Sequence, residues 1–196
     1  VYTGAVFDSL TDQLRQTGAI GVMLTDTVYG VVARAANQSA VARLYELKKR
    51  DAKPGTLIAA NLEQLEELGF KHRYLKAVEQ FWPGAVSVII PAADPKLAYL
   101  HQSKMSLAVR IPDNKDLQNL LQQTGPLLTS SANQPAAPPA TTIEQAQKYF
   151  GKEVDFYIDG GDVSGRQPST IIRIIDDAIE VIRQGAVTID GDTITS

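Results

Sequence analysis

Residues 19–33, Ala19-Ile20-Gly21-Val22-Met23-Leu24-Thr25-Asp26-Thr27-Val28-Tyr29-Gly30-Val31-Val32-Ala33, hold two short apolar runs with a polar loop between them. Ala19 to Leu24 predicts one strand and Tyr29 to Ala33 a second, both too short for a helix and rich in residues that fit a pleated surface. On either side the pattern becomes helical. Asp8-Ser9 is read as the cap of a first helix running through about Thr17, with Leu10 and Leu14 on one face. From Ser39 an amphipathic helix turns Val41, Leu44, Tyr45 and Leu47 inward. Lys48, Lys49 and Arg50 gather near its end, where cations complement the helix dipole.

The alternation continues along the chain. Strands are predicted at Thr56–Ala60, Val86–Ile90, Leu107–Ile111, Pro126–Thr129, Val154–Ile158, Thr170–Ile175 and Glu180–Arg183. Asn61 caps a helix carrying Leu62, Leu65 and Leu68, another runs from His72 to Phe81, and Asn114 opens one through Gln123. Thr142-Ile143-Glu144-Gln145 reads as a capping box for a helix to Phe150. Such alternation favours an α/β class built on a sheet. No repeat or break in composition demands a second unit, so residues 1–196 are expected to form one domain.

Composition narrows the chemistry. With 44% hydrophobic and 21% charged residues the chain reads as globular, and a net charge of −3 argues against broad electrostatic capture of nucleic acid or membrane. Without cysteine, disulfides, thiolate metal sites and cysteine nucleophiles are excluded, and two histidines make a histidine-rich metal site a poor reading. No apolar run spans a bilayer and no signal peptide is visible, which gives a cytoplasmic expectation.

What remains is a kit of hydroxyls, one phenol and cations beside apolar runs. Hydroxyls orient a small polar ligand, and Lys and Arg neutralise phosphate. The glycines of Gly160–Arg166 resemble a P-loop, but Arg166-Gln167 replaces the Lys-Ser/Thr pair and no helix follows. No G-x-S-x-G elbow exists, and Ser130 and Ser131 lack a histidine partner. Arg110 stands within an apolar strand, where a guanidinium must find an anion or reach the surface. Arg183 faces the same choice. Salt bridges to acidic side chains remain open for both.

The ordered motifs carry more than any of them singly. They are Thr25-Asp26-Thr27-Val28-Tyr29-Gly30, Lys48-Lys49-Arg50 with Lys53-Pro54, Phe81-Trp82-Pro83-Gly84 and Leu107-Ala108-Val109-Arg110-Ile111-Pro112. They continue with Thr129-Ser130-Ser131-Ala132-Asn133, Pro138-Pro139-Ala140-Thr141, Asp159-Gly160-Gly161, Pro168-Ser169-Thr170 and Arg183-Gln184-Gly185. In this order and spacing the chain resembles the YrdC-like family, whose single-domain members are threonylcarbamoyl-AMP synthases of tRNA modification. The resemblance implies a twisted mixed β-sheet with flanking helices around a concave basic cavity. It implies a nucleotidyltransferase joining L-threonine, bicarbonate and ATP, with Mg2+ held through the ATP phosphates. The product serves N6-threonylcarbamoyladenosine formation by a downstream threonylcarbamoyl-transferase complex.

Carried over by matched position, ATP contacts fall on Lys48, Arg50, Lys53, Ser106, Asn133 and Arg183. Threonine contacts fall on Thr27, Tyr29, Arg110, Ser131 and Ser169, with Arg50, Lys53 and Arg110 the catalytic cations. Five features depart from the family pattern: Leu24 and Asp51 replace Pro, the Arg50-to-Lys53 spacing is one residue shorter than the common form, Ile58 stands where some members place a threonine-contacting His, and Pro135-Ala136 replaces Ser-Gly. Two alternatives stay open: a module binding tRNA or double-stranded RNA, and a paralogue acting on another carbamate or phosphate substrate.

Overall fold

The computed structural model describes residues 4–49, 53–176 and 178–190. The opening stretch forms a hairpin. Strand β1 (Ile20–Leu24) pairs antiparallel with β2 (Tyr29–Arg34), from Ile20 opposite Ala33 to Leu24 opposite Tyr29. Thr25 to Val28 is the connecting loop, closed by the Thr25 N–H and Oγ1 donating to the Val28 carbonyl at 3.2 and 2.9 Å. The remaining strands are β3 (Thr56–Ile58), β4 (Val86–Pro91), β5 (Ser106–Arg110), β6 (Leu127–Ser131), β7 (Phe156–Ile158), β8 (Thr170–Ile175) and β9 (Ala178–Arg183). Among the described residues they make a nine-stranded mixed sheet ordered β7-β1-β2-β6-β3-β5-β4-β8-β9. The pairs β1/β7, β3/β5 and β4/β8 are parallel and the others antiparallel. This is the mixed α/β architecture expected from the sequence.

Period-two alternation divides the core between the two faces. On one face Ile20, Val22, Tyr29, Val31, Leu57, Leu128 and Val109 meet α2 (Gln38–Leu47), α3 (Leu62–Leu68), α4 (His72–Lys76), α5 (Ala98–His101) and α7 (Ile143–Phe150). On the other, Met23, Val32, Ile58 and Leu127 meet Leu10 and Leu14 of α1 (Gly4–Arg15) and Leu117, Leu120 and Leu121 of α6 (Lys115–Thr124).

Several boundaries differ from the sequence reading. The first helix has already begun at Gly4, so Asp8-Ser9 lies inside it and does not cap it. Helix α2 starts at Gln38, one residue before the expected Ser39, and Asn37 caps it, its side chain accepting from the Ala40 N–H. The helix expected over His72–Phe81 splits. Val78 leaves helical geometry (φ −120°, ψ 0°), so α4 stops at Lys76 and a 3-10 turn follows at Glu79–Phe81. Helix α5 was not foreseen, because four residues show no period. Asn61 and Asn114 cap α3 and α6 as read. At α7 the Thr142 side chain accepts from the Gln145 N–H, but Gln145 Oε1 reaches the Thr141 N–H and so closes the box one residue early.

Candidate active site

Helices α1 and α6 cover only part of their face of the sheet. Beyond them the face is bare and holds a cavity of about 490 Å3. Register explains its floor. Thr129 of β6 lies opposite Thr56 of β3, Thr56 beside Ala108 of β5, Ala108 opposite Ile89 of β4, and Ile89 beside Arg173 of β8. All five line the cavity, one row across five strands. Along β5, Ser106, Ala108 and Arg110 line it at every second position, as a pleated strand requires. Towards β2, β3 and β6 the floor is low because its residues are small. A Cβ on Gly30 would lie 2.4 Å from Thr129 Oγ1, and one on Gly55 would lie 2.6 Å from the Thr129 carbonyl.

The structure brings together most of the residues read from the sequence. Thr27, Tyr29, Ser106, Arg110, Ser131, Ser169 and Arg183 all line this cavity. Lys104 and Arg173 also line it and were missed. Lys104 precedes a strand without a motif of its own, and Arg173 lies within an apolar run read as structural. With Arg110 and Arg183 they give four cations, and no Asp or Glu is among the lining residues. A chain of net charge −3 thus gathers four cations in one hollow, with Arg110 paired to Asp26 and Arg173 to Glu180.

Lys48, Lys53 and Asn133 are not among the lining residues, and Arg50 lies outside the described residues. Lys48 is buried, and its ammonium donates to the Ser131 carbonyl at 2.7 Å, to Asn133 Oδ1 at 3.1 Å and to the Asn133 carbonyl. Ser131 Oγ donates to Asn133 Oδ1 at 2.7 Å, and Asn133 Nδ2 donates to the Ala137 carbonyl at 2.8 Å. Lys48 and Asn133 therefore shape the loop that presents Ser131. Lys53 is exposed, one residue before Pro54 and Gly55 on the cavity wall.

The other polar groups are held as firmly. Tyr29 Oη donates to the Gly161 carbonyl at 2.8 Å and accepts from the Gly160 N–H at 2.9 Å, with Asp159 Oδ1 at 3.2 Å. Burial chiefly, and the Asp159 carboxylate, raise the phenol above its ordinary pKa against a lowering by the Gly160 N–H, so it stays neutral. Ser169 Oγ lies 2.9 Å from Ser87 Oγ, and Arg183 Nη2 donates to the Ser169 carbonyl at 2.7 Å. Arg110 is 3% exposed and pairs at 2.9 Å with Asp26. Burial lowers the guanidinium's pKa and Asp26 raises it, yet it stays protonated.

Among the described residues no three or more His, Cys, Asp or Glu group as a metal would require, and no helix is long and apolar enough to cross a membrane. The arrangement can neutralise a polyanion while hydroxyls orient a small polar neighbour.

Comparison with known proteins places this geometry. A threonylcarbamoyl-AMP synthase of Vibrio campbellii is 34% identical over 176 residues, covering 87% of this chain and 94% of that protein. P. abyssi Sua5 complexed with L-threonine superposes with a TM-score of 0.82 at 26% identity. That match takes in 94% of this chain but only 55% of the Sua5 chain, so this chain spans little more than half of that protein. E. coli YciO shares the fold, with a TM-score of 0.80 at 23% identity over 98% of this chain and 93% of its own. The Sua5/YciO/YrdC sequence family, described as Telomere recombination, matches residues 13–185, a span that holds every cavity-lining residue, and the chain belongs to that family.

Proposed function

We propose that this protein is a threonylcarbamoyl-AMP synthase, a nucleotidyltransferase acting on L-threonine, bicarbonate and ATP. The observation that carries the reading is the convergence of Thr27, Arg110, Ser131, Ser169 and Arg183 on one cavity that gathers four cations and no lining carboxylate. The activity named for its Vibrio campbellii relative and the L-threonine bound by P. abyssi Sua5 support it.

Threonine's amine and bicarbonate give N-carboxythreonine and water. A carboxylate oxygen of that anion attacks the α-phosphorus of ATP, an O–P bond forms, and the bond to the β-phosphate oxygen breaks to release pyrophosphate. The nucleophile is already charged, so the site needs no general base for the second step. Its work is alignment and charge neutralisation. Arg110 would grip the amino acid's carboxylate, and the Thr27, Ser131 and Ser169 hydroxyls would orient its polar groups. Ser106 and Arg183, with Arg50 and Lys53, would hold the nucleotide. Asn133 and Lys48 would support it from behind the Ser131 loop, and Tyr29 by fixing the cavity wall. Magnesium would arrive as part of the ATP complex, held by phosphate oxygens and water. The product would pass to a threonylcarbamoyl-transferase complex that modifies tRNA.

Purified protein with ATP, magnesium, bicarbonate and threonine should release pyrophosphate only when threonine is present. Threonine-independent release would refute the reaction. Arg110→Ala should weaken threonine use far more than ATP binding, and equal losses for both ligands would contradict its role. Tight, salt-sensitive RNA binding without adenylate formation would favour an RNA-binding module instead.

A further inference from the structure

Asp26 belongs to the Thr25–Val28 hairpin loop yet does not line the main cavity. Its side chain is 7% exposed, and Oδ1 lies 2.9 Å from Arg110 Nη2. Asp26 instead lines a second cavity of about 550 Å3, bounded also by Arg166, Gln167 and Thr188, and Thr27 is common to both cavities. The ion pair thus stands between two hollows, with the guanidinium on one and the carboxylate on the other.

Stability alone does not account for so buried a pair. Burial raises the Asp26 carboxyl above its ordinary range, more than Arg110 and Asp26's own backbone N–H lower it, with Asp113 adding a smaller upward push. Desolvation outweighs attraction on the arginine side as well. Apolar residues of similar volume would hold such a site equally well or better. The pair does give Arg110 direction. Asp26 Oδ1 stands 2.9 Å from one terminal nitrogen as an ion pair without hydrogen-bond geometry, and both Asp26 Oδ1 and Arg110 Nε are buried without a hydrogen-bond partner among the described residues. A carboxylate bound along the Nε edge would satisfy Arg110 bidentately.

We propose that Asp26 is a positioning residue for amino-acid recognition, fixing the Arg110 fork so that its free edge receives the substrate carboxylate. The inference rests on Arg110 being the amino acid's partner, as in the proposed reaction. In calorimetry on the full chain, Asp26→Asn should weaken threonine binding by about 10- to 100-fold, as expected for a misdirected charge-assisted pair. ATP binding should stay unchanged. Parallel losses for both ligands, or none for threonine, would overturn the assignment.

Introduced into an Arg110→Lys background, the same substitution should cost threonine nothing further, because the fork it orients is gone. Additive losses would overturn it too. Asp26→Glu, which keeps the charge, gives a second variant should Asp26→Asn fold poorly, and it should retain more threonine affinity than Asp26→Ala. Failure to do so counts against the proposal. The Arg110 Nε–H NMR signal supplies a readout independent of ligand, and it should shift and exchange faster in Asp26→Asn. Absence of threonine binding by the wild-type protein would sink the reaction and this inference together. Normal binding with an unchanged Arg110 signal would sink the inference alone.

Discussion

Removal of the Lys48 ammonium would take a charged donor from the half-buried Ser131 and Asn133 carbonyls and from Asn133 Oδ1, although the Asn133 N–H still reaches the Ser131 carbonyl and Ser131 Oγ still reaches Asn133 Oδ1. Hydrogen bonds to a charged group are worth about 1.5–3 kcal/mol. Lys48→Met should therefore destabilise the fold by about 2–3 kcal/mol in denaturant titration and weaken threonine binding as the Ser131 loop relaxes. A stability change under about 0.5 kcal/mol, the range of an ordinary surface substitution, would show that the ammonium is not holding that loop. Lys48 illustrates the limit of residue-scale reading. A cation at a helix end serves phosphate, dipole or backbone equally well in sequence, and only the arrival of the 131–133 loop beside it selects the last. Arg110 was more legible, since a guanidinium among apolar strand neighbours demands an anion whatever the topology.

Asp155 joins elements rather than serving the cavity. Its carboxylate accepts from Arg43 of α2 at 2.5 Å and from the Ile20 N–H at the start of β1 at 2.9 Å. Partial burial raises its pKa, but the Arg43 and Ile20 hydrogen bonds outweigh that and hold it below the usual 3.8. A depressed folded-state pKa gives stability that is present above the unfolded value and lost as pH falls through the folded one. Asp155→Asn should thus lower stability at neutral pH by about 0.5–1 kcal/mol, a figure suited to a largely exposed pair. The gap between wild type and variant should close as pH falls below about 4. A gap independent of pH would show that the charge plays no part.

Gly185 governs another junction. A Cβ there would lie 2.2 Å from the Pro168 carbonyl and 2.7 Å from Ser169 backbone atoms, so Gly185→Ala must push the Ser169 segment aside. Overpacking of this kind costs about 1–3 kcal/mol, and the threonine KM should rise with it. A variant of wild-type stability and KM would show that the segment yields freely. Strand and cap positions were readable from local chemistry at Asn61, Asn114 and β8. The ends of α1 and α4 were not, because Asp8-Ser9 has the chemistry of a cap whether or not a helical turn precedes it, and Val78 leaves helical geometry without a local breaker.

The whole molecule gathers four cations in one hollow of an acidic chain. ATP binding should weaken as ionic strength rises, while a partly buried site is screened less than an open surface. ATP with threonine should raise the melting temperature further than either alone. Each ligand at about 100 times its Kd contributes about 2.7 kcal/mol. A thermal shift with ATP that threonine and bicarbonate leave unchanged would favour a different carbamate or phosphate substrate.

From the chain alone came the α/β class, the strands on either side of the Thr25–Val28 loop, and the expectation of an anionic ligand, because period, turn chemistry and side-chain type are local properties. Folding alone determined that Thr129, Thr56, Ala108, Ile89 and Arg173 share one row, that Lys104 joins the cations, that Lys48 turns to the backbone and that Asp26 stands behind Arg110. Those relations depend on strand order and register. These are fixed by the burial of a whole sheet face, which no single segment encodes.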